Sequence, residues 1–543
     1  MEHGTTTHDA TEASGASSLD TAPAAPYAGS HAEGRLLWRY VPSWWPLALI
    51  LAVQAGFSLR LVRADTAFQD EATYLWAGHL EWANWLHSAP LPPFSAYFSG
   101  APVFYPPIGA IADSIGGLTG ARTLSLVFML AATALLWSAT TRLYGRRAAF
   151  FAAALFAVSG PTLHLGSFAT YDALSVFLVA LAAWFVISAG DQGDATGRMV
   201  AAGVFLALAN VAAYSSLLFD PVVALLVPLT AFPKPGGKVV GRRIALLLIV
   251  LVTLLLAGLL VGGGSYLGGF ERTTLSRAAG AASPVTVLAD SWSWTGLTVV
   301  LALCAIIISL VNRRGRVQVW LLALLAIAAI LGPLEQANLH TADSLNKHVG
   351  LGAWFAAIAA GYAVDWFVLA APAGWNRLLT CGACVLALAF PVSLGASQSY
   401  AFATSWPNAT SFIAIMGPTV SQSGGHLLVE DPTIAEYYLP QGSQWQRWSS
   451  TRNIILPSGQ STGGPSQASG VVGPGNAGTF AMYIREGYFS VIALNFSDTT
   501  SLDLTLAKDI GESHHYHKAQ VVPYGIEIPP LGEGTYVIWK KNR

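Results

Sequence analysis

The chain has 543 residues, of which 53% are hydrophobic and only 10% are charged. Soluble domains carry about 25% charged residues, so this composition excludes an ordinary soluble protein and predicts a polytopic α-helical membrane protein. The 28 basic and 29 acidic residues give a net charge of -1, which provides no general attraction for nucleic acid.

Residues 1–34 are rich in small and polar residues, and we expect them to form a disordered cytoplasmic tail. Residues 35–399 then contain apolar runs long enough to cross a bilayer core of about 30 Å. The runs predict about 11 transmembrane helices, near residues 44–61, 122–141, 148–165, 171–189, 199–213, 216–232, 244–262, 294–311, 317–333, 349–369 and 378–396.

The basic residues predict the orientation of these helices. About 14 of them flank one side of the predicted membrane region and about 6 flank the other. Cytoplasmic flanks accumulate Lys and Arg, so we expect a cytoplasmic N terminus in a multi-pass protein of the plasma membrane. An odd number of crossings then places residues 400–543 outside the cell.

Residues 400–543 show alternating apolar patterns typical of a soluble α/β domain, here extracytoplasmic. The predicted strands are 425–429, 488–494 and 535–539. A stretch rich in Gly, Ser and Pro at 457–478 predicts a flexible loop. The histidine cluster at 514–517 is interpreted as a solvated turn rather than a metal site.

The first outer loop, residues 64–121, is much longer than a simple connection requires, and long loops in compact proteins are usually functional. It begins with Asp70 and Glu71 a few residues after the first helix, followed by Tyr74. A carboxylate near the membrane surface can act as a general base for a hydroxyl nucleophile. A solvated helix cap is the alternative interpretation of this acidic pair.

Two further outer turns carry polar residues at helix starts. His164 precedes Asp172, which begins a predicted crossing and is also suited to cap it. Residues 334–349 contain His340, Lys347 and His348. Polar groups gathered on one side of a membrane predict a shared site, where Lys347 would pair with a phosphate. Alternatively, Lys347 pairs with an acidic neighbour at helical spacing.

The order of these motifs resembles the GT-C membrane glycosyltransferases. The matching residues are Asp70-Glu71, Pro106-Pro107, Ala121-Arg122, Tyr144-Gly145-Arg146-Arg147 and Tyr171-Asp172. More narrowly, residues 40–396 are similar to the branch that contains protein O-mannosyltransferases and lipid A aminoarabinose transferases. The resemblance implies a GT-C catalytic domain that transfers a sugar, with inversion, from a polyprenyl-phosphate donor to a hydroxyl acceptor on the outer face.

The resemblance also implies residue roles. Asp70 matches the catalytic base, Glu71 is its neighbour, and Asp172 matches the second acidic position. Some relatives have a Lys-Pro-Pro motif whose lysine contacts the donor phosphate, but Tyr105 replaces that lysine here. The phosphate contact therefore shifts to Lys347. The remaining predicted substrate-binding residues are Tyr74, Tyr105, Arg122, His164, His340 and His348.

The resemblance implies no required cofactor, although a divalent metal bridging Asp70 and Asp172 is left open. The expected partners are the lipid-linked donor, membrane lipids, and a protein, lipid or cell-wall glycan acceptor, but no nucleic acid. The alternative function is a multi-pass transporter or lipid flippase, which usually has polar groups near the membrane midplane and two matching halves.

Overall fold

The computed structural model describes residues 44–542, except for 97, 191–194, 232–235, 278, 343, 371–376, 404, 453–476, 498 and 525–534. The predictions for residues 1–34, and for nearly all of the loop at 457–478, lie outside the described residues.

The described residues before the C-terminal domain form thirteen α-helices. They are α1 (Trp45–Val62), α2 (Gln69–His87), α3 (Tyr105–Tyr144), α4 (Arg146–Ala157), α5 (Gly160–Leu165), α6 (Tyr171–Ser188), α7 (Thr196–Ala212), α8 (Asp220–Thr230), α9 (Gly237–Phe270), α10 (Pro284–Val311), α11 (Arg316–Asn338), α12 (Leu345–Ala370) and α13 (Arg377–Phe402).

Among the described residues, seven helices are long and apolar enough to cross a membrane, as expected for a multi-pass membrane protein. They are α1, α3, α6, α9 continued to Leu275, α10, α11 and α12, and each contains one predicted crossing. The other four predicted crossings are also helical. Two of these are interrupted, because 148–165 is divided between α4 and α5, and 216–232 begins in a 3₁₀ helix at Tyr214–Phe219.

The long first loop is largely helical rather than irregular. It contains α2, a 3₁₀ helix at Phe94–Ala96 and the first part of α3. A kink at Gly116 and Gly117 separates that first part from the membrane-spanning part of α3. Gly117 has φ 61° and ψ -162°, a conformation that a residue with a side chain rarely adopts.

Two of the most enclosed membrane helices are α6 and α12, in which 78% and 67% of the most apolar 18-residue segment is buried. Glycines allow α12 to lie close to its neighbours. A Cβ atom at Gly352 would lie 2.4 Å from the Ala328 carbonyl oxygen of α11, and one at Gly361 would lie 2.4 Å from the Ala148 oxygen of α4. Small residues permit such backbone approach in membrane bundles, so α12 packs closely against α11 and α4.

The C-terminal domain contains α14 (Thr410–Ser421), α15 (Thr433–Tyr438), α16 (Ala477–Arg485) and α17 (Thr500–Ser513). Its strands are β1 (His426–Val429), β2 (Trp448–Ser449), β3 (Phe489–Leu494), β4 (Tyr516–Pro523) and β5 (Thr535–Lys541). They form one sheet in the order β2-β1-β3-β5-β4, in which β1 is parallel to β2 and β3. The two pairings of β5, with β3 and with β4, are antiparallel.

Helices cover both faces of this sheet, which gives the domain two apolar cores. One core includes Phe412 and Met416 of α14, and the other includes Phe480 of α16 and Leu506 of α17. The three predicted strands coincide with β1, β3 and β5. Strands β2 and β4 were not predicted, and the expected turn at 514–517 was partly wrong because β4 begins at Tyr516.

The C-terminal domain packs directly on the first loop, within one unit formed by residues 46–543. Trp76 of α2 donates a hydrogen bond from Nε1 to the Gly442 carbonyl oxygen at 3.0 Å. Tyr437 of α15 donates to Asp113 Oδ1 of α3 at 2.8 Å. The domain therefore lies at the end of the helical bundle where α2 begins.

Candidate active site

Three charged residues from three different helices meet at one point. The Nζ of Lys347 donates a hydrogen bond to Asp70 Oδ2 at 2.5 Å and lies 3.7 Å from Asp172 Oδ2. The side chains of Lys347 and Asp172 are only 5% and 8% exposed, whereas that of Asp70 is 37% exposed. The structure thus brings together the two predicted acids and the predicted lysine.

Each of these residues occupies the first turn of its helix. Asp70 is the second residue of α2, Asp172 is the second residue of α6, and Lys347 is the third residue of α12. Carboxylates are favoured at helix N termini, where they face unpaired backbone N–H groups. Three helix starts at the same end of the bundle therefore account for the convergence.

The Lys347 ammonium group has more N–H donors than the described residues accept. An ammonium has three N–H donors, and Asp70 accepts one of them. Among the described residues, no other hydrogen bond of this group is found, since Asp172 lies beyond hydrogen-bond distance at 3.7 Å. Asp172 Oδ2 is likewise shielded from solvent without a hydrogen-bond partner in the described part of the chain. A buried cation with free donors is suited to bind an anion.

Aromatic residues enclose this charged centre. The ring of Tyr74 packs against that of Tyr171 with centroids 4.6 Å apart, and against Phe98 at 5.3 Å. The Lys347 Nζ lies 5.8 Å from the centre of the Phe68 ring. Burial, followed by the nearby Tyr171 and Asp70, raises the pKa of Tyr74 well above its usual value. Its hydroxyl therefore stays protonated and can donate a hydrogen bond.

Glu71 and Arg122 form a separate pair that is fully enclosed. The Arg122 Nε and Nη2 donate to the two Glu71 carboxylate oxygens at 2.8 and 2.7 Å, and both side chains are 0% exposed. The Ala169 N–H also donates to Glu71 at 2.7 Å. Arg122 further donates to carbonyl oxygens of the last residue of α1 and of the segment between α1 and α2.

This pair connects α2, α3 and the residues before α6, so it holds two site-bearing segments in position. Neither Glu71 nor Arg122 is accessible to a ligand in this structure. The geometry therefore gives them a structural role and argues against the catalytic and substrate contacts predicted for them from the sequence.

The other predicted residues lie in different surroundings. His164 packs against Phe168 with ring centroids 4.5 Å apart, and neither ring nitrogen has a hydrogen-bond partner among the described residues. Tyr105 is 1% exposed at the start of α3. His340 is exposed after α11, with φ 52°, whereas His348 Nδ1 lies 2.5 Å from Gln336 Nε2. Their substrate contacts stay predictions.

Tyr171 and Phe68 were not predicted from the sequence to be functional residues. Both lie next to the charged centre, through the contact of Tyr171 with Tyr74 and that of Phe68 with Lys347. Their positions beside Asp172 and near Asp70 in the sequence were the available signal.

The residues do not form a good metal site. Within the described residues, no group of three or more His, Cys, Asp or Glu side chains is arranged to hold a metal ion. The ammonium of Lys347 lies between Asp70 and Asp172, where a bridging metal would meet its positive charge. The arrangement thus does not fit a metal shared by these two carboxylates.

Comparison with known proteins bears on this arrangement. The model of the dolichyl-phosphate-mannose-protein mannosyltransferase family matches residues 108–261. No curated protein matches the chain in a sequence search.

Solved structures resemble the chain over most of its length. The ArnT protein of Cupriavidus metallidurans, bound to undecaprenyl phosphate, is 14% identical with a TM-score of 0.57, covering 92% of this chain and 98% of ArnT. The Archaeoglobus fulgidus oligosaccharyltransferase AglB, with an inhibitory peptide and a dolichol-phosphate, is 13% identical with a TM-score of 0.54, covering 91% of this chain and 75% of AglB.

The mycobacterial arabinofuranosyltransferase AftD is 15% identical with a TM-score of 0.52, covering 92% of this chain but 42% of AftD. At these identities the likeness shows the fold, which is the GT-C fold of membrane glycosyltransferases. The family match in addition supports a GT-C-type membrane glycosyltransferase. The resemblance drawn from the sequence motifs is thereby confirmed.

Proposed function

We propose that the chain transfers a sugar from a polyprenyl-phosphate donor to an acceptor hydroxyl, with inversion at the anomeric carbon and on the outer face of the membrane. The observation that carries this proposal is that Asp70 and Asp172 both lie next to the ammonium group of Lys347. The undecaprenyl phosphate of ArnT and the dolichol-phosphate of AglB support a lipid-phosphate donor.

Asp70 is the general base in this mechanism. The acceptor oxygen attacks the anomeric carbon while its proton moves to the Asp70 carboxylate. The bond between the anomeric carbon and the phosphate oxygen breaks, and the lipid phosphate leaves with the electron pair. Asp70 is suited to this role because it is the most exposed member of the charged centre. General base catalysis typically contributes about 10² to 10⁴ in rate.

Lys347 binds the phosphate of the donor. Its buried position strengthens its interaction with an anion, because water screens the charge poorly there. A cation that is already in place stabilises the negative charge that develops on the leaving phosphate. The two N–H donors without acceptors in the described structure give the phosphate oxygens a place to bind.

Tyr74 lies beside the charged centre, where its ring packs against Tyr171 and Phe98. The raised pKa of its hydroxyl keeps a hydrogen-bond donor close to Asp70 and Tyr171. Aromatic rings with polar edges suit a sugar, which has both apolar faces and hydroxyl groups. We therefore propose that Tyr74 contacts the donor sugar.

The proposed reaction needs no resident metal, because Lys347 supplies the positive charge that a metal would otherwise provide at the phosphate. The outer face is favoured because the site lies at the end of the bundle that carries the C-terminal domain. The excess of basic residues on the flank that we expect to be cytoplasmic supports a position of that domain outside the cell.

Product formation by the full-length protein in lipid nanodiscs tests the proposal. A panel of radiolabelled polyprenyl-phosphate sugars would be incubated with extracted envelope acceptors, and new glycosylated products would be measured. Asp70→Asn should reduce transfer about 10² to 10⁴-fold while preserving the fold.

Asp290→Asn is the control, since Asp290 is a carboxylate in the second turn of α10 that forms no hydrogen bond or ion pair with Asp70, Asp172 or Lys347 in the described part of the chain. Full activity of Asp70→Asn would remove Asp70 from the role of base. Movement of the labelled lipid across the membrane without a new glycosidic bond would favour the flippase alternative.

A further inference from the structure

In this structure two residues of the charged centre, Asp70 and Lys347, are paired with each other. The acid proposed as the base, Asp70, accepts a 2.5 Å hydrogen bond from the cation proposed to bind the phosphate. The hydrogen bond occupies Asp70 Oδ2, so this oxygen is not available to the proton of an acceptor hydroxyl. A base in this arrangement is poorly prepared to accept the proton of an acceptor hydroxyl.

We infer that the donor phosphate and Asp70 compete for the Lys347 ammonium, so that phosphate binding releases Asp70 to act as the base while Asp172 retains Lys347 in the site. This inference rests on the proposed function. It makes Asp172 a positioning residue and makes donor binding a condition for base catalysis.

The two carboxylates differ in the ways that this exchange requires. Asp172 is 8% exposed and begins α6, a well-enclosed membrane helix. At 3.7 Å it attracts the ammonium without using one of its N–H donors. Asp70 is 37% exposed and makes the direct hydrogen bond. Asp70 is therefore the partner that a phosphate replaces, and Asp172 is the partner that stays.

A phosphate competes well for this position. It offers several strong acceptor oxygens, and Lys347 has two N–H donors with no acceptor among the described residues. A polyprenyl phosphate and free inorganic phosphate share this chemistry. The lipid form also gains from apolar contacts in the membrane, so the lipid-bound phosphate should bind more tightly than the free ion.

Equilibrium binding separates competition from a general charge effect. Undecaprenyl phosphate, undecaprenol and inorganic phosphate would each be titrated into the full-length protein in nanodiscs made of neutral lipid. Asp70→Asn should bind undecaprenyl phosphate about 10-fold more tightly than the unmodified protein, since the ligand no longer has to displace a charged hydrogen bond. Affinity for undecaprenol should not change.

Asp172→Asn removes the same charge from the same ammonium but no hydrogen bond. Competition predicts a clearly smaller gain in affinity for Asp172→Asn than for Asp70→Asn, and no gain for the control Asp290→Asn. Lys347→Met should lower the affinity for undecaprenyl phosphate to the affinity for undecaprenol. Thermal unfolding of each variant would verify that it is folded.

Equal gains for Asp70→Asn and Asp172→Asn, or no gain for Asp70→Asn, would overturn the inference. These results are independent of turnover. If Asp70→Asn abolishes transfer without tighter binding, the proposed function stands and the exchange fails. If tighter binding is found but no sugar is transferred by any form of the protein, the exchange stands and the proposed function fails.

Discussion

Replacement of Arg122 by Ala distinguishes a structural from a substrate-binding arginine. The change removes both hydrogen bonds to Glu71, at 2.7 and 2.8 Å, from a pair that is 0% exposed. It leaves a carboxylate enclosed without its counter-charge. Breaking a buried ion pair by removing one partner costs about 3 to 5 kcal/mol. We therefore expect a large loss of stability, well beyond that of a surface substitution.

The assay is thermal unfolding of the purified protein, followed by the fluorescence of its 18 tryptophans. Glu71→Gln should also lower the unfolding midpoint, and the double variant Glu71→Gln with Arg122→Ala should lose less stability than the sum of the single variants. Such non-additivity is expected only for residues that interact.

The opposite result would support the role predicted from the sequence. If Arg122→Ala left the unfolding midpoint unchanged but weakened the binding of undecaprenyl phosphate, Arg122 would be a substrate contact and the structural interpretation would be refuted. Arg122→Lys is a useful comparison, because it retains the charge but lacks the planar group that binds both oxygens of Glu71.

Three further predictions concern other parts of the molecule. Chelation of divalent metals should change the rate of sugar transfer by less than about twofold, because Lys347 supplies the positive charge. A loss of activity that added metal reverses would contradict this. Trp76→Phe removes the hydrogen bond to Gly442 and should make the C-terminal domain more sensitive to limited proteolysis, whereas unchanged cleavage would assign that contact no role in docking. Burial and the nearby Asp431 raise the pKa of Glu436 well above its usual value of 4.5. The stabilising effect of this native proton is complete below pH 4.5 and declines as pH rises towards the raised pKa, so Glu436→Gln should match the unmodified protein near pH 4.5 and exceed its thermal stability at pH 8.

The membrane helices were the most predictable part of the fold, since a bilayer requires long apolar segments with internal hydrogen bonds. The same criterion fails where the chain interrupts a helix within an apolar run. Between α4 and α5, Ser159 adopts an extended conformation and Pro161 lies in the first turn of α5. The predicted crossing at 148–165 ran through this break because its length was judged from apolar content, whereas the signal for the interruption lies in Gly160 and Pro161.

The strands show a similar limit. Strand β4 carries mostly exposed side chains, because it lies at the edge of the sheet, so its sequence lacks the alternation that predicts a strand. Strand β2 has only two residues, which is too short for any periodic pattern.

The sequence placed Asp70, Asp172 and Lys347 on one side of the membrane but did not predict their contacts. Asp70 and Lys347 are separated by 277 positions, and no local pattern specifies such a pairing. The sequence also did not predict that the two adjacent acids have different partners. Asp70 and Glu71 are adjacent, yet the helix turns one carboxylate towards Lys347 and the other towards Arg122.

The charge balance of the proposed reaction explains how Lys347 can stay paired with anions both before and after sugar transfer. A polyprenyl-phosphate sugar is a phosphodiester with one negative charge, and Asp70 is ionised before transfer. Afterwards Asp70 holds the acceptor proton, and the released lipid monophosphate carries most of a second negative charge. One negative charge therefore moves from Asp70 to the phosphate while the total stays constant. Lys347 can remain beside Asp172 and change only its other partner, so the buried cation is paired throughout.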